Sequence, residues 1–104
     1  MTSGGLKGYL DPVILAILSD GALHGYALIE ELKARSGGEL DLPEGTVYPA
    51  LHRLERRGLL SSGWTTVEGR RRRIYRLTAS GRRELESKAR EWRAFARVVD
   101  GVLP

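Results

Sequence analysis

Residues 43–58 read PEGTVYPALHRLERRG, and the reading of this stretch decides the fold. Val47, Leu51 and Leu54 stand at i, i+4 and i+7, the spacing that turns one stripe of a helix towards a core. Gly58 follows as a C-terminal cap, where the chain turns left-handed and a Cβ is unwelcome. Pro49 has no N–H, a loss that is harmless only in the first turn, so the regular helix is predicted to begin near Thr46. The opposite side carries Gly45, Pro49, His52 and Arg56, with Arg53 flanking. That face is small at its N-terminal end and basic further along, a shape that can enter a groove. Short helices of this kind also occur in many domains that bind no nucleic acid.

Upstream, residues 23–35 predict a second helix with Leu28, Ile29 and Leu32 inward and Glu30, Glu31 and Lys33 outward, stopped by Ser36-Gly37-Gly38. His24 is expected in the turn before it, its imidazole satisfying a backbone group. Before the turn residues Ser19-Asp20-Gly21, Asp11-Pro12 offers an N-cap and a proline at the first helical position. The first helix then buries Val13, Ile14, Ile17 and Leu18. Residues 1–9 are expected to be a flexible tail, and they lack the basic region and long apolar run of a secretory signal.

Downstream, a segment rich in Thr, Val and Trp runs from Leu60 to Val67, Glu68-Gly69 makes a tight turn, and residues 71–77 return as a second strand. If Val67 faces Arg70, then Trp64, Tyr75 and Leu77 share one face with Leu60 and the arginines crowd the tip. Thr78 caps a last helix whose Leu85, Ala89, Trp92, Ala96 and Val99 step by four and three, with Phe95 and Val102 widening the stripe. So broad an apolar face needs a partner surface.

The 104 residues, 41% hydrophobic, suffice for one small domain with a thin core, which association with a second copy would stabilise. Charge is unevenly placed: residues 1–50 hold three basic and seven acidic side chains, residues 51–104 fourteen and six. The arginine-rich excess favours a phosphate partner. Absence of cysteine excludes disulfides, thiolate zinc sites and cysteine nucleophiles. The longest apolar run, residues 13–18, is too short to span a bilayer, and a soluble, cytoplasmic protein is expected. His24 and His52 lie at no metal-ligand spacing from a carboxylate cluster, and no nucleophile–base arrangement is evident, so no metal, cofactor or catalytic residue is expected.

The order of three helices, a β-hairpin and a further helix is that of a winged helix-turn-helix domain: mainly α with a hairpin, over residues 10–77, followed by a C-terminal dimerisation helix over 78–104. In such domains the third helix lies in the major groove. Leu23-His24-Gly25-Tyr26, the run from Gly45 to Leu51 with Arg53-Leu54-Glu55, Gly58-Leu59, Gly69-Arg70, Tyr75-Arg76-Leu77-Thr78 and Gly81 together resemble the PadR family of bacterial transcriptional regulators. The resemblance covers nearly the whole chain, from about Leu10 onwards, and is to the branch with a short C-terminal region. It implies repression and, as in ligand-responsive relatives, a cavity between subunits lined by the terminal helix; a homodimer built on that helix is then expected, by its two-fold symmetry, to bind an inverted-repeat operator. Glu44 and the unusually basic Arg70 to Arg73 depart from the family pattern; Glu44 suits the helix dipole but repels a phosphate.

The DNA-binding candidates follow. Arg53, Arg56 and His52 are placed to read bases, since arginine pairs with both acceptors of guanine. For Arg53 surface charge pairing is an equal alternative. Thr46 and Tyr48, beside Pro49, offer hydroxyls near the helix start, although Tyr48 also fits half-buried packing. Of Arg70, Arg71, Arg72 and Arg73, alternation lets only a subset reach phosphate or a minor groove; the other reading is a solvated charge run guarding an edge strand. Leu85, Ala89, Trp92, Ala96 and Val99 are expected to build the dimer. Trp92 and Phe95 are candidates for contact with a planar aromatic or cationic effector, with plain packing as the alternative for Trp92. The competing function is a winged-helix protein-interaction module without specific DNA binding.

Overall fold

The computed structural model describes residues 3–104, with side chains from Tyr9 onwards. The expected tail at residues 1 and 2 lies outside the described residues. The order is α1 (Ser3–Leu18), β1 (Leu23–His24), α2 (Gly25–Arg35), α3 (Glu44–Arg56), β2 (Leu60–Val67), β3 (Arg70–Leu77) and α4 (Ala79–Val102). This is the mainly helical, winged arrangement expected, with one addition. Leu23 and His24 do not begin α2 but pair with Tyr75 and Ile74, making a three-stranded antiparallel sheet in the order β1-β3-β2.

The core is one apolar cluster. Val47, Leu51 and Leu54 of α3 are fully buried, as their spacing requires, and Ala50 joins them. Around them pack Leu10, Ile14, Leu15, Ile17 and Leu18 of α1, Leu28 and Leu32 of α2, and Leu59, Leu60 and Tyr75 at the sheet. Among the described residues no charged side chain is buried, and the one buried side chain with a polar atom is that of Tyr75. The His24 imidazole caps α2 by accepting from the Ala27 N–H at 3.2 Å.

Two helix starts lie earlier than the prolines indicate. α1 runs from Ser3, and Pro12 sits inside it, so residues 3–9 are helix instead of tail. Leu10 is buried and the Tyr9 ring meets Trp92 edge-on at 5.3 Å, contacts that outweigh the hydrogen bond lost at Pro12. α3 likewise begins at Glu44, with Pro49 in its interior. Gly45, whose carbonyl loses its helical donor at Pro49, is exposed, so water can satisfy it.

The end of α3 is as expected. Gly58 takes φ +75, its N–H donates to Glu55 O at 2.9 Å and the Leu59 N–H donates to Leu54 O at 3.0 Å, the paired bonds of a Schellman cap. The hairpin register is also the expected one: Val67 pairs with Arg70 and Leu60 with Leu77. Glu68 and Gly69 both take positive φ, +50 and +77, which a two-residue turn needs to match the twist of its strands. Thr78 caps α4, accepting from the Gly81 N–H at 3.0 Å.

Candidate nucleic-acid interface

Burying Val47, Ala50, Leu51 and Leu54 determines where the rest of α3 points. Gly45, Pro49, His52 and Arg56 are exposed. Arg56 has no ion-pair partner among the described residues, so its guanidinium is available. Arg53 lies on the flank towards α1, where it donates to Asp11 at 2.6 Å; Arg57, one turn on, stands 3.7 Å from the same carboxylate. Thr46, seven residues before Arg53, is half-buried on that flank. The surface pairing considered for Arg53 is therefore the arrangement found, with a partner on another helix instead of on α3.

The other flank of α3 faces the wing. Tyr48 is half-buried because its ring lies over Gly25: a Cβ there would fall 2.6 Å from the ring. Burial raises the Tyr48 phenol above its ordinary pKa, with Glu44 adding to the rise and Arg72 opposing it. Glu55 accepts from Ser62 Oγ at 2.6 Å, and Ser62 Oγ in turn accepts from Arg73 Nε at 2.8 Å, with an Arg73 terminal nitrogen 3.8 Å from Glu55. Arg73 thus brackets the wing to α3. Its Trp64-face neighbour Arg71 lies over the Trp64 ring at 4.9 Å. Arg70 and Arg72, on the alternate face, have no ion pair among the described residues.

Between α3 and the wing lies a cleft of about 290 Å³ lined by His24, Gly25, Tyr48, His52, Trp64, Arg71, Arg72, Arg73 and Tyr75. Its lining holds three arginines and two histidines and no carboxylate, an arrangement suited to an anion of extended shape. The structure therefore gathers Tyr48, His52, Arg71, Arg72 and Arg73 at one cleft, leaves Pro49 and Arg56 on the exposed face of α3 and Arg70 at the turn, and sets Thr46 and Arg53 to the side. Asp11, Glu55 and Ser62, which organise these side chains, escape sequence reasoning because their partners are distant in the chain. Trp64 is different: the register itself places it opposite Arg73.

A second concavity, about 690 Å³, lies between α1 and α4 and shares no lining residue with the first; Tyr9, Pro12, Val13, Leu85, Ala89, Trp92 and Phe95 contribute to it. Trp92 and Phe95 are 53% and 55% exposed, with ring centroids 6.3 Å apart. Leu85 packs on the chain's own core, Ala89, Ala96 and Val99 are half-buried, and Val98, Val102 and Leu103 are exposed. Among the described residues no cluster of three acidic or histidine side chains could hold a metal ion, and no helix is long and apolar enough to cross a membrane.

Known proteins share this fold. The family described as "Transcriptional regulator PadR-like family" matches residues 14–87. The chain is 44% identical over 88 residues to "Transcriptional regulator Rv3488" of Mycobacterium tuberculosis, covering 85% of this chain and 79% of the relative. Among solved structures, a transcriptional regulator from Clostridium thermocellum superposes with a TM-score of 0.87 at 29% identity, covering 98% of this chain and all of that one. A PadR family transcription regulator from Clostridium difficile R20291 gives 0.81 at 36% identity, covering 92% and 99%. With three helices, a wing and a fourth helix in this order, and with a family match across residues 14–87, the chain belongs to the PadR-like family of transcriptional regulators, whose members act on DNA as winged-helix proteins and are not enzymes.

Proposed function

We propose that this chain is a cytoplasmic repressor that binds an inverted-repeat operator as a homodimer, through residues 10–77, with the helix of residues 78–104 as its dimerisation element. The observation that carries the DNA-contacting surface is the cleft between α3 and the wing, lined by three arginines, two histidines and three aromatic side chains and by no carboxylate. Arg56 and His52 read base edges from the exposed face of α3, while Thr46, Tyr48 and Pro49 pack its first turns against the backbone. Arg53 joins the contact by leaving Asp11. Arg70, Arg71 and Arg72 neutralise phosphates beside the groove, and Arg73 holds the wing in place. An interaction module without DNA binding gives no role to the four guanidinium groups of α3 and the wing, Arg56, Arg70, Arg71 and Arg72, that form no ion pair among the described residues.

The dimer reading is supported by Trp92, Phe95, Val98 and Val102, an exposed apolar face too broad for one small domain to leave in water. Leu85, Ala89, Ala96 and Val99 form its inner edge. A two-fold pair sets recognition helices about 34 Å apart, one turn of duplex. The groove beside Trp92 and Phe95 suits a planar aromatic or cationic effector that releases the operator by favouring another spacing.

Sedimentation and duplex titration test the reading together. The intact chain is expected to sediment as a dimer and to bind duplex DNA with a steep salt dependence, tightest on an inverted repeat. Removing residues 92–104 is expected to give a monomer with much weaker operator binding. A dimer that survives that truncation overturns the assignment of α4, and absence of salt-dependent duplex binding overturns the DNA reading in favour of the interaction module.

A further inference from the structure

Trp64 projects from β2 with 60% of its surface exposed. Exposure alone assigns nothing, since single apolar side chains are common on protein surfaces. Its neighbours do. Trp64 pairs with Arg73 across the hairpin, and Arg71, two residues before Arg73, is its diagonal neighbour on the same face of the strand. Both guanidinium groups lie over the indole, Arg71 at 4.9 Å and Arg73 at 5.5 Å from the ring centroid.

The two arginines are not equivalent. Arg73 is held from behind by Ser62 and Glu55, and so by α3. Arg71 is exposed and forms no ion pair among the described residues; its described partner is the indole face. A continuous set of contacts therefore runs from Glu55 on the recognition helix through Ser62 and Arg73 to Trp64, and ends at Arg71. An arginine on a hairpin otherwise samples many rotamers, and ordering it on binding costs affinity that a preset position saves.

We propose that Trp64 is a positioning residue for DNA binding: it holds Arg71 in place before the duplex arrives and ties that place to α3. The inference rests on the reading of α3 and the wing as the DNA interface. Trp64 acts through Arg71, so its effect must vanish when Arg71 is removed. An exposed stack of this kind corresponds to about a two- to fivefold change in affinity.

A double-mutant cycle on the full-length protein tests it, with a fluorescein-labelled duplex of mixed sequence followed by anisotropy over a range of salt. Trp64→Leu keeps apolar bulk on the strand but removes the aromatic face, and Trp64→Phe restores that face. Trp64→Leu is expected to weaken binding about two- to fivefold. Trp64→Phe is expected to recover most of the loss, and Trp64→Leu added to Arg71→Ala to cost nothing further. Thermal melting of each variant identifies any that is unfolded, and the Trp64→Phe comparison then stands on its own. Equal binding by wild type and Trp64→Leu overturns the proposal, as does a Trp64→Leu loss that is as large without Arg71 as with it. A wild type that binds no duplex overturns the DNA reading itself, a result that cannot be confused with either.

Discussion

Replacing Arg70 and Arg72 together by Ala isolates the phosphate role of the wing. Alternation along β3 puts these two on one face, while Arg71 and Arg73 lie against Trp64 on the other. Neither has an ion pair among the described residues, so their removal breaks no described bridge within the fold. If each neutralises one phosphate, each lost contact lowers the slope of log affinity against log salt by about 0.9. The double variant then loses about 1.8 for one engaged protomer and about 3.6 for a two-fold dimer. Over a rise from about 50 to 200 mM salt, the larger figure shrinks the drop in affinity by about a hundredfold. Anisotropy titrations at several salt concentrations, on an operator and on mixed sequence, measure both slope and specificity. Both duplexes are expected to weaken alike. An unchanged slope refutes the reasoning, because the wing arginines would then face away from the backbone. A matched Arg73→Ala variant is expected to change the slope less and the stability more, since its guanidinium already serves Glu55 and Ser62.

Three further outcomes follow from particular contacts. Asp11→Asn frees Arg53 and Arg57, which share its carboxylate; duplex affinity is expected to rise and the salt slope to steepen, with at most about 1 kcal/mol lost in melting experiments. Gly81→Ala drives a Cβ onto the Leu59 carbonyl oxygen and to 2.6 Å from Leu77, and is expected to destabilise by about 1 to 3 kcal/mol in chemical denaturation. Burial raises the Tyr75 phenol above its ordinary pKa, with Arg73 opposing. The folded state then holds the proton more tightly than the unfolded chain, so this contribution is complete below about pH 10 and is lost as pH rises through the folded value. Tyr75→Phe is expected to flatten the alkaline loss of stability, measured by denaturant titration across that range.

What was legible in the sequence was periodic or local. The stripe Val47, Leu51 and Leu54 announces α3 because burial must repeat every 3.6 residues, and Gly58 marks its end because few other residues tolerate φ +75. The two-residue turn at Glu68-Gly69 forces the register, and with it the neighbours of Trp64. The two early helix starts are not legible because the penalty of a proline is local and its relief is not: the Tyr9–Trp92 contact beside Pro12 joins residues at opposite ends of the chain, and the Gly45 carbonyl that Pro49 leaves without a donor is exposed to water. β1 has two residues, too few to show a period. Arg53 remained ambiguous because its partner lies 42 positions away, on α1.

A further set of contacts ties α4 to α3, and through it the proposed dimerisation helix to the proposed DNA-contacting one. α3 ends, β2 begins and α4 starts at a single junction around Leu59. Its N–H closes the α3 cap on Leu54, and its carbonyl accepts from Thr78 N–H at 3.1 Å. The Thr78 hydroxyl donates to Gly58 O at 2.7 Å while accepting from Gly81 N–H. Gly81 is buried against the Leu59 carbonyl with no room for a Cβ, so the first turn of α4 cannot slide past the end of α3. The 24 residues of α4 extend roughly 36 Å from that fixed point at 1.5 Å per residue. A reorientation of the whole protomer by about 5° therefore corresponds to about 3 Å over the length of the helix. With α4 tied to the end of α3 at this junction, the proposed dimer would convert a change in how two α4 helices pack into a change in the separation of the two recognition helices. On the proposed reading, a compound seated against Trp92 and Phe95 is expected to alter operator affinity only as far as it binds one packing of α4 better than another.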